Sequence, residues 1–130
     1  MLAAGKASGA ALVLQEPLSL WGGMDPETGE LIDVHHPQRG TQLAGRVLVM
    51  AAVRGSSSAS SVLAESVRAG CAPVAIVLGE TDLILAVGAA VAEELYGVRL
   101  PVIVLPPDDL AQIRSGQRVE ILESGEVTLG

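Results

Sequence analysis

The chain has 130 residues, a formal net charge of −7 and 49% hydrophobic residues, enough apolar material for one domain with a substantial core. Its 15 acidic residues outnumber 8 basic ones, and no Lys or Arg cluster occurs, which argues against nucleic acid and anionic membrane as partners. Aromatics are only 2%, so a stacking platform for single-stranded nucleic acid is missing, and the single cysteine, Cys71, can form neither an internal disulfide nor a metal cluster by itself.

Met1–Lys6 lacks a basic segment followed by an apolar stretch, so no secretory signal is read there, and a cytoplasmic setting is expected. Ala10–Leu14 predicts a first strand that Pro17 ends, and Leu18–Trp21 resumes an extended path. The run from Gly22 to Glu30 is dense in turn formers. Within it, the paired Gly22 and Gly23 either allow a ligand to approach the backbone or simply make a turn. Leu31–Val34 predicts a short strand. His35–Gly40 predicts a surface loop, because Pro37 disfavours helix at His36. Adjacent His35 and His36 side chains diverge, which makes them a poor metal pair without a third ligand.

Arg46–Ala51 is a short apolar run rich in β-branched residues and predicts a buried strand. A glycine–serine loop follows it, and then a helix from about Ala59 to Ala69 that Gly70 stops. Cys71, in the turn before Pro73, is expected to be a half-buried structural thiol. Pro73–Leu78 predicts another buried strand. A helix over Leu83–Tyr96 is capped by Asp82 or Thr81 and closed by Gly97. Its apolar stretch, Leu83–Ala92, is too short to cross a bilayer and predicts a buried helix, with Glu93 and Glu94 at a solvated end. Pro101–Leu105 predicts a third core strand, Asp108–Ile113 one helical turn, and Arg118–Leu122 with Glu126–Leu129 a hairpin turning at Ser124-Gly125. The organisation is α/β: two strand–helix units in the middle with strands at both ends, giving a central sheet with flanking helices.

The segment Gly55-Ser56-Ser57-Ser58-Ala59-Ser60-Ser61 carries the most chemistry. A strand ending in such a loop and opening a helix aims free N–H groups and small hydroxyls at one spot, which favours negative charge. The loop lacks the lysine of a phosphate-binding P-loop, the spaced glycines of a dinucleotide fingerprint and the second glycine of a nucleophile elbow. Helix capping by Ser57, Ser58 or Ser60 would use one or two hydroxyls. Five serines in seven residues exceed that need. The segment can therefore hold an anion or carry a serine whose oxygen acts as base or nucleophile. No self-sufficient catalytic set accompanies it, so the remaining machinery of an enzyme would lie on another chain.

Several segments together resemble the small, swivelling subunit of the aconitase X family: Leu18–Gly29, His36-Pro37, Leu43–Val49, Arg54–Leu63, Ala72–Val77 and Ile84–Ala89. The resemblance runs from about Gly9 to Leu122. It implies that residues 1–130 are one swivelling β/β/α domain like the fourth domain of aconitase, and that the chain is part of a hydro-lyase completed by a large subunit. The iron–sulfur cluster or metal would sit on that large subunit, with no metal bound by this chain alone. By motif, Ser56 is the implied proton acceptor and Ser57 touches substrate. Gly55, Ser58, Arg54, Gly22 and Gly23 complete the implied substrate-binding set. Ser58 stands where aconitases carry a carboxylate-gripping arginine, which implies a hydroxy acid other than a tricarboxylate. The resemblance offers cis-3-hydroxy-L-proline as the leading substrate and 5-phosphomevalonate as the alternative, with Arg54 the local cation for a phosphate. A different class stays open beside these: a non-catalytic domain that binds a small anion or merely a partner chain.

Overall fold

In a computed structural model, which describes residues 2–52 and 59–130, the sheet is built from six strands. In chain order the elements are β1 (Ala7–Val13), α1 (Leu20–Gly23), a four-residue turn whose Trp21 and Gly22 are not helical, β2 (Val47–Met50), α2 (Ala59–Arg68), β3 (Ala75–Leu78), α3 (Leu83–Tyr96), β4 (Val102–Val104), a short α4 (Pro107–Leu110), β5 (Arg118–Ile121) and β6 (Val127–Leu129). The strand order is β4-β3-β2-β1-β5-β6. The first four of these run parallel, and β5 and β6 add as an antiparallel hairpin.

Strands β2 and β3 are buried at every residue. Parallel strands covered on both faces need apolar side chains at successive positions, and Val47–Met50 and Ala75–Leu78 supply them. The two-residue period then divides the core. Leu12, Leu48, Met50, Ile76, Leu78 and Val102 point to the helix side, where they meet Leu63 and Val67 of α2 and Leu85, Ala89 and Ala92 of α3. The alternate residues Ala11, Val47, Val49, Ala75, Val77 and Ile103 point the other way, into a second core with Ile113, Val119 and Ile121.

Strand β1 is where the sheet changes character. Its residues Ala11–Val13 pair with β2, whereas Ala7–Ala10 pair with β5. That second pairing extends β1 three residues upstream of the predicted start at Ala10, a long-range effect that local pattern does not carry. The α3 boundaries match the sequence reading: Asp82 Oδ1 accepts from the Leu85 N–H at 3.0 Å, and Gly97 ends the helix at φ 68°.

Three expectations need correction. Leu31–Val34 forms no strand; Glu30 and Leu31 make only isolated bridges, to Gln42 and Met24, because the surrounding turns leave no room for a ladder. The apolar helix α3 is not buried all round: Leu83, Val87, Val91 and Leu95 stay exposed, since the domain has only one layer of helices on that face of the sheet. His36 is not a surface residue. It is 6% exposed, and its ring spans the turn, Nδ1 accepting from the Gln38 N–H at 3.1 Å and Nε2 donating to the Glu16 carbonyl at 3.0 Å. Among the described residues no helix is long and apolar enough to cross a membrane.

Leu48 is fully buried between the sheet and α2 in the larger core. Truncating it removes contacts that the surrounding close packing cannot replace. Leu48→Ala is expected to lower the unfolding free energy by about 2–5 kcal/mol, measured by denaturant titration against the parent chain.

Candidate functional site

The serine segment connects β2 to α2. Strand β2 ends at Met50, the chain is described to Ala52, and α2 is described from Ala59. Arg54, Gly55, Ser56, Ser57 and Ser58 lie outside the described residues. The neighbourhood that holds both ends of the segment is well defined. On the strand side, Ala51 packs on Gly79 at the end of β3: a Cβ on Gly79 would come within 2.6 Å of the Ala51 carbonyl oxygen. On the helix side, Gly88 of α3 lies against Ser60, where a Cβ would sit 3.0 Å from the Ser60 carbonyl oxygen. At both flanks a glycine lets a neighbouring element come to backbone distance, which a side chain there would prevent.

A cleft of about 330 Å³ opens at the C-terminal ends of β1, β2 and β3, lined by Leu14, Met50, Ala51, Gly79, Leu110 and Ile113 among others. Ligands of parallel α/β sheets bind outside the carboxyl ends of the strands, so this is the edge where such a site is expected. The cleft reaches Ala51, immediately ahead of the serine segment.

The second candidate feature lies in α1, which packs against α2. Gly22 has φ 77° and open space where a Cβ would be, whereas the corresponding space at Gly23 is filled by Leu18. The neighbouring Trp21 is 60% exposed, a large apolar surface that the sequence reading did not single out. Trp21 is itself extended (φ −70°, ψ 117°) and is followed by the left-handed Gly22, so the glycine pair after it is the local signal of this turn.

Cys71 is a structural thiol. It is buried, and its Sγ donates to the Pro26 carbonyl at 3.1 Å, tying the turn after α2 to the Asp25–Gly29 turn. Gly29 (φ 77°) completes the junction, since any Cβ there would overlap the Cys71 carbonyl. Burial pushes the thiol above its ordinary pKa, and the carboxylates of Asp25 and Glu27 push it further in the same direction. A thiolate ligand for iron or zinc would have to break this bond and shed a tightly held proton, so Cys71 does not fit a cluster. His35 is exposed while His36 is buried, so the adjacent histidines do not converge, and no group of three metal-ligating side chains forms among the described residues.

The comparisons with known proteins agree with one another. The family model for the aconitase X swivel domain matches residues 1–129. A cis-3-hydroxy-L-proline dehydratase of Pseudomonas aeruginosa is 54% identical over 101 residues, 78% of this chain. The chain spans only 17% of that relative's length. A phosphomevalonate dehydratase small subunit of Thermococcus gammatolerans is 38% identical over 95% of this chain and 88% of its own length. The crystal structure of Thermococcus kodakaraensis aconitase X superimposes with a TM-score of 0.85 at 32% identity, covering 99% of this chain and 93% of that one.

The thiol's raised pKa has a signed consequence. Near pH 8.5, where a free thiol ionises, the unfolded chain loses the Cys71 proton and the folded chain keeps it, so stability falls as pH rises through that region. Native Cys71 is expected to react with iodoacetamide at least about tenfold more slowly than the urea-unfolded chain. Cys71→Ser, which keeps a donor but does not titrate there, is expected to flatten the alkaline loss of stability in pH-dependent melts.

Proposed function

The chain belongs to the aconitase X swivel-domain family, and from that premise we propose that it is the small subunit of a hydro-lyase that dehydrates a hydroxy acid, cis-3-hydroxy-L-proline. In this reading residues 1–130 form one swivel domain that works in the cytoplasm as half of a heterodimer. The observation that carries the substrate choice is the 54% identity to the Pseudomonas dehydratase, against 38% to the phosphomevalonate small subunit.

The reaction needs a base for a carbon-bound proton and a leaving hydroxyl. Ser56 is assigned as the base: its oxygen takes the proton from the carbon next to the carboxylate. The electron pair left behind forms the C=C bond as the C–O bond on the adjacent carbon breaks, and the departing hydroxide takes up a proton to leave as water. Serine is a weak base at neutral pH, so the assignment requires help for its alkoxide. A position ahead of α2 supports this, because N–H groups at a helix entrance favour negative charge. Ser57, Ser58, Gly55 and Arg54 are assigned to the substrate carboxylate and ring, with Gly22 and Gly23 completing the substrate-binding set. The iron–sulfur cluster or metal is assigned to the large subunit. This chain's one thiol is committed to the Pro26 carbonyl.

A specific observation also favours a second substrate. The match to the phosphomevalonate dehydratase small subunit covers 88% of that chain. With that substrate, Arg54 would meet the phosphate.

The test combines this chain with the large aconitase X chain of the same genome. Ser56→Ala is expected to lower turnover of cis-3-hydroxy-L-proline by about 10²–10⁴-fold while leaving assembly and the melting temperature unchanged. Near-parental turnover in that variant removes Ser56 as the base. A higher kcat/KM for 5-phosphomevalonate reverses the substrate order. No dehydration of either compound, with small anions still bound by the isolated chain, leaves the non-catalytic binding domain.

A further inference from the structure

Helix α3 carries apolar side chains on the face turned away from the sheet. Leu85, Gly88, Ala89 and Ala92 are buried inward. On the other side Leu83 is 67% exposed, Val87 54%, Val91 38% and Leu95 64%. These four recur every fourth residue and so form one stripe along the helix. No charged residue interrupts Leu83–Ala92. The polar boundary comes only at the last turn, where Glu93 pairs with Arg99. A surface helix normally sets polar residues opposite its buried stripe, and a helix apolar on both sides is normally buried on both.

The position of the stripe selects its occupant. Its first turn lines a shallow pocket of about 270 Å³ with Leu83, Ile84 and Val87 on one side and Ser60 on the other. Ser60 lies two residues after Ser58, at the described start of α2. Four residue steps separate Ser56 from Ser60, a reach of at most about 15 Å, so a body that brings an electrophile to Ser56 comes within that reach of Ser60 and of the Leu83–Val87 pocket wall. The family supplies such a body. In the Pseudomonas relative the matching segment is part of a chain about six times longer, so a large polypeptide stays tethered beside this domain. A permanent partner of that kind is met by a hydrophobic surface with a polar margin, and the stripe, flanked at its last turn by the Glu93–Arg99 pair, has that form.

We infer that the outer face of α3 — Leu83, Val87, Val91 and Leu95 — is the surface on which the large aconitase X chain docks. The inference rests on the dehydratase reading above and adds to it the place of contact. The apolar stripe holds the two bodies together, and its pocket end lies at Ser60, two residues along the chain from Ser58.

The experiment uses the full chain and the large aconitase X chain, with affinity read by titration and activity with cis-3-hydroxy-L-proline. Val87→Asp would bury a carboxylate without a partner in the complex, and it is expected to weaken assembly by about 100-fold or more. Val87→Leu is expected to bind like the parent. Melting of the isolated Val87→Asp chain should match the parent, because the side chain is in water there. At concentrations that force assembly, the Val87→Asp complex should regain dehydration. Parental affinity in Val87→Asp, with an active parental pair, overturns the docking surface and leaves the dehydratase reading standing. A parental chain that self-associates through the stripe, broken by Val87→Asp without loss of large-chain affinity, overturns it in favour of a second copy. A parental pair that neither assembles nor dehydrates takes down the dehydratase reading and the inference together.

Discussion

Burial of β2 and β3 on both faces is the constraint from which the rest follows. Two adjacent strands with no solvent-facing residue must be covered twice, and the chain meets this with different materials on each side. Helices α2 and α3 cover the even-numbered side chains of the pair, Leu48, Met50, Ile76 and Leu78. The β5 hairpin strand and the segment around Ile113 cover the odd-numbered ones, Val47, Val49, Ala75 and Val77. Because the side-chain period of a strand is two, a slip of one residue would exchange the two sets. The register of the sheet and the identity of each covering layer are therefore one decision.

That decision also places the candidate chemistry. The parallel strands end at one edge, where a cleft reaches Ala51 after β2, and a separate pocket reaches Ser60 at the described start of α2. Gly79 and Gly88 let β3 and α3 approach the two flanks to backbone distance. The Cys71–Pro26 bond pins the turn beyond α2 to the loop below α1, so the far end of the same helix is held as well. The glycine approaches at both flanks, the buried thiol beyond α2 and the outward apolar stripe of α3 all follow from how the two faces of the sheet are covered.

The regular elements were legible because each is stated locally. Val47–Met50 and Ala75–Leu78 are apolar at successive positions, which among short runs marks a strand covered twice. Asp82 and Gly97 delimit α3 through cap chemistry that needs only neighbouring residues. The serine segment stood out by composition, and its resemblance to a family motif gave its residues roles. Less legible were the features that depend on distant partners. The upstream half of β1 exists because β5, over a hundred residues later, pairs with it. The loss of the Leu31–Val34 strand and the inward turn of His36 reflect how two loops fold on each other.

By itself the sequence determined the α/β order of elements, the helix limits, the absence of a cationic surface and the family motif around Ser56, since propensity, capping, charge and short motifs act over a few residues. The tertiary structure alone decided which apolar residues find cover. Leu83 and Leu85 are the same residue type two positions apart on one helix, yet one lies in solvent and the other in the core. Hydrophobicity gives a side chain its reason to leave water, but the number of packed layers determines whether there is somewhere to go. Among the described residues, no further layer covers the outer face of α3.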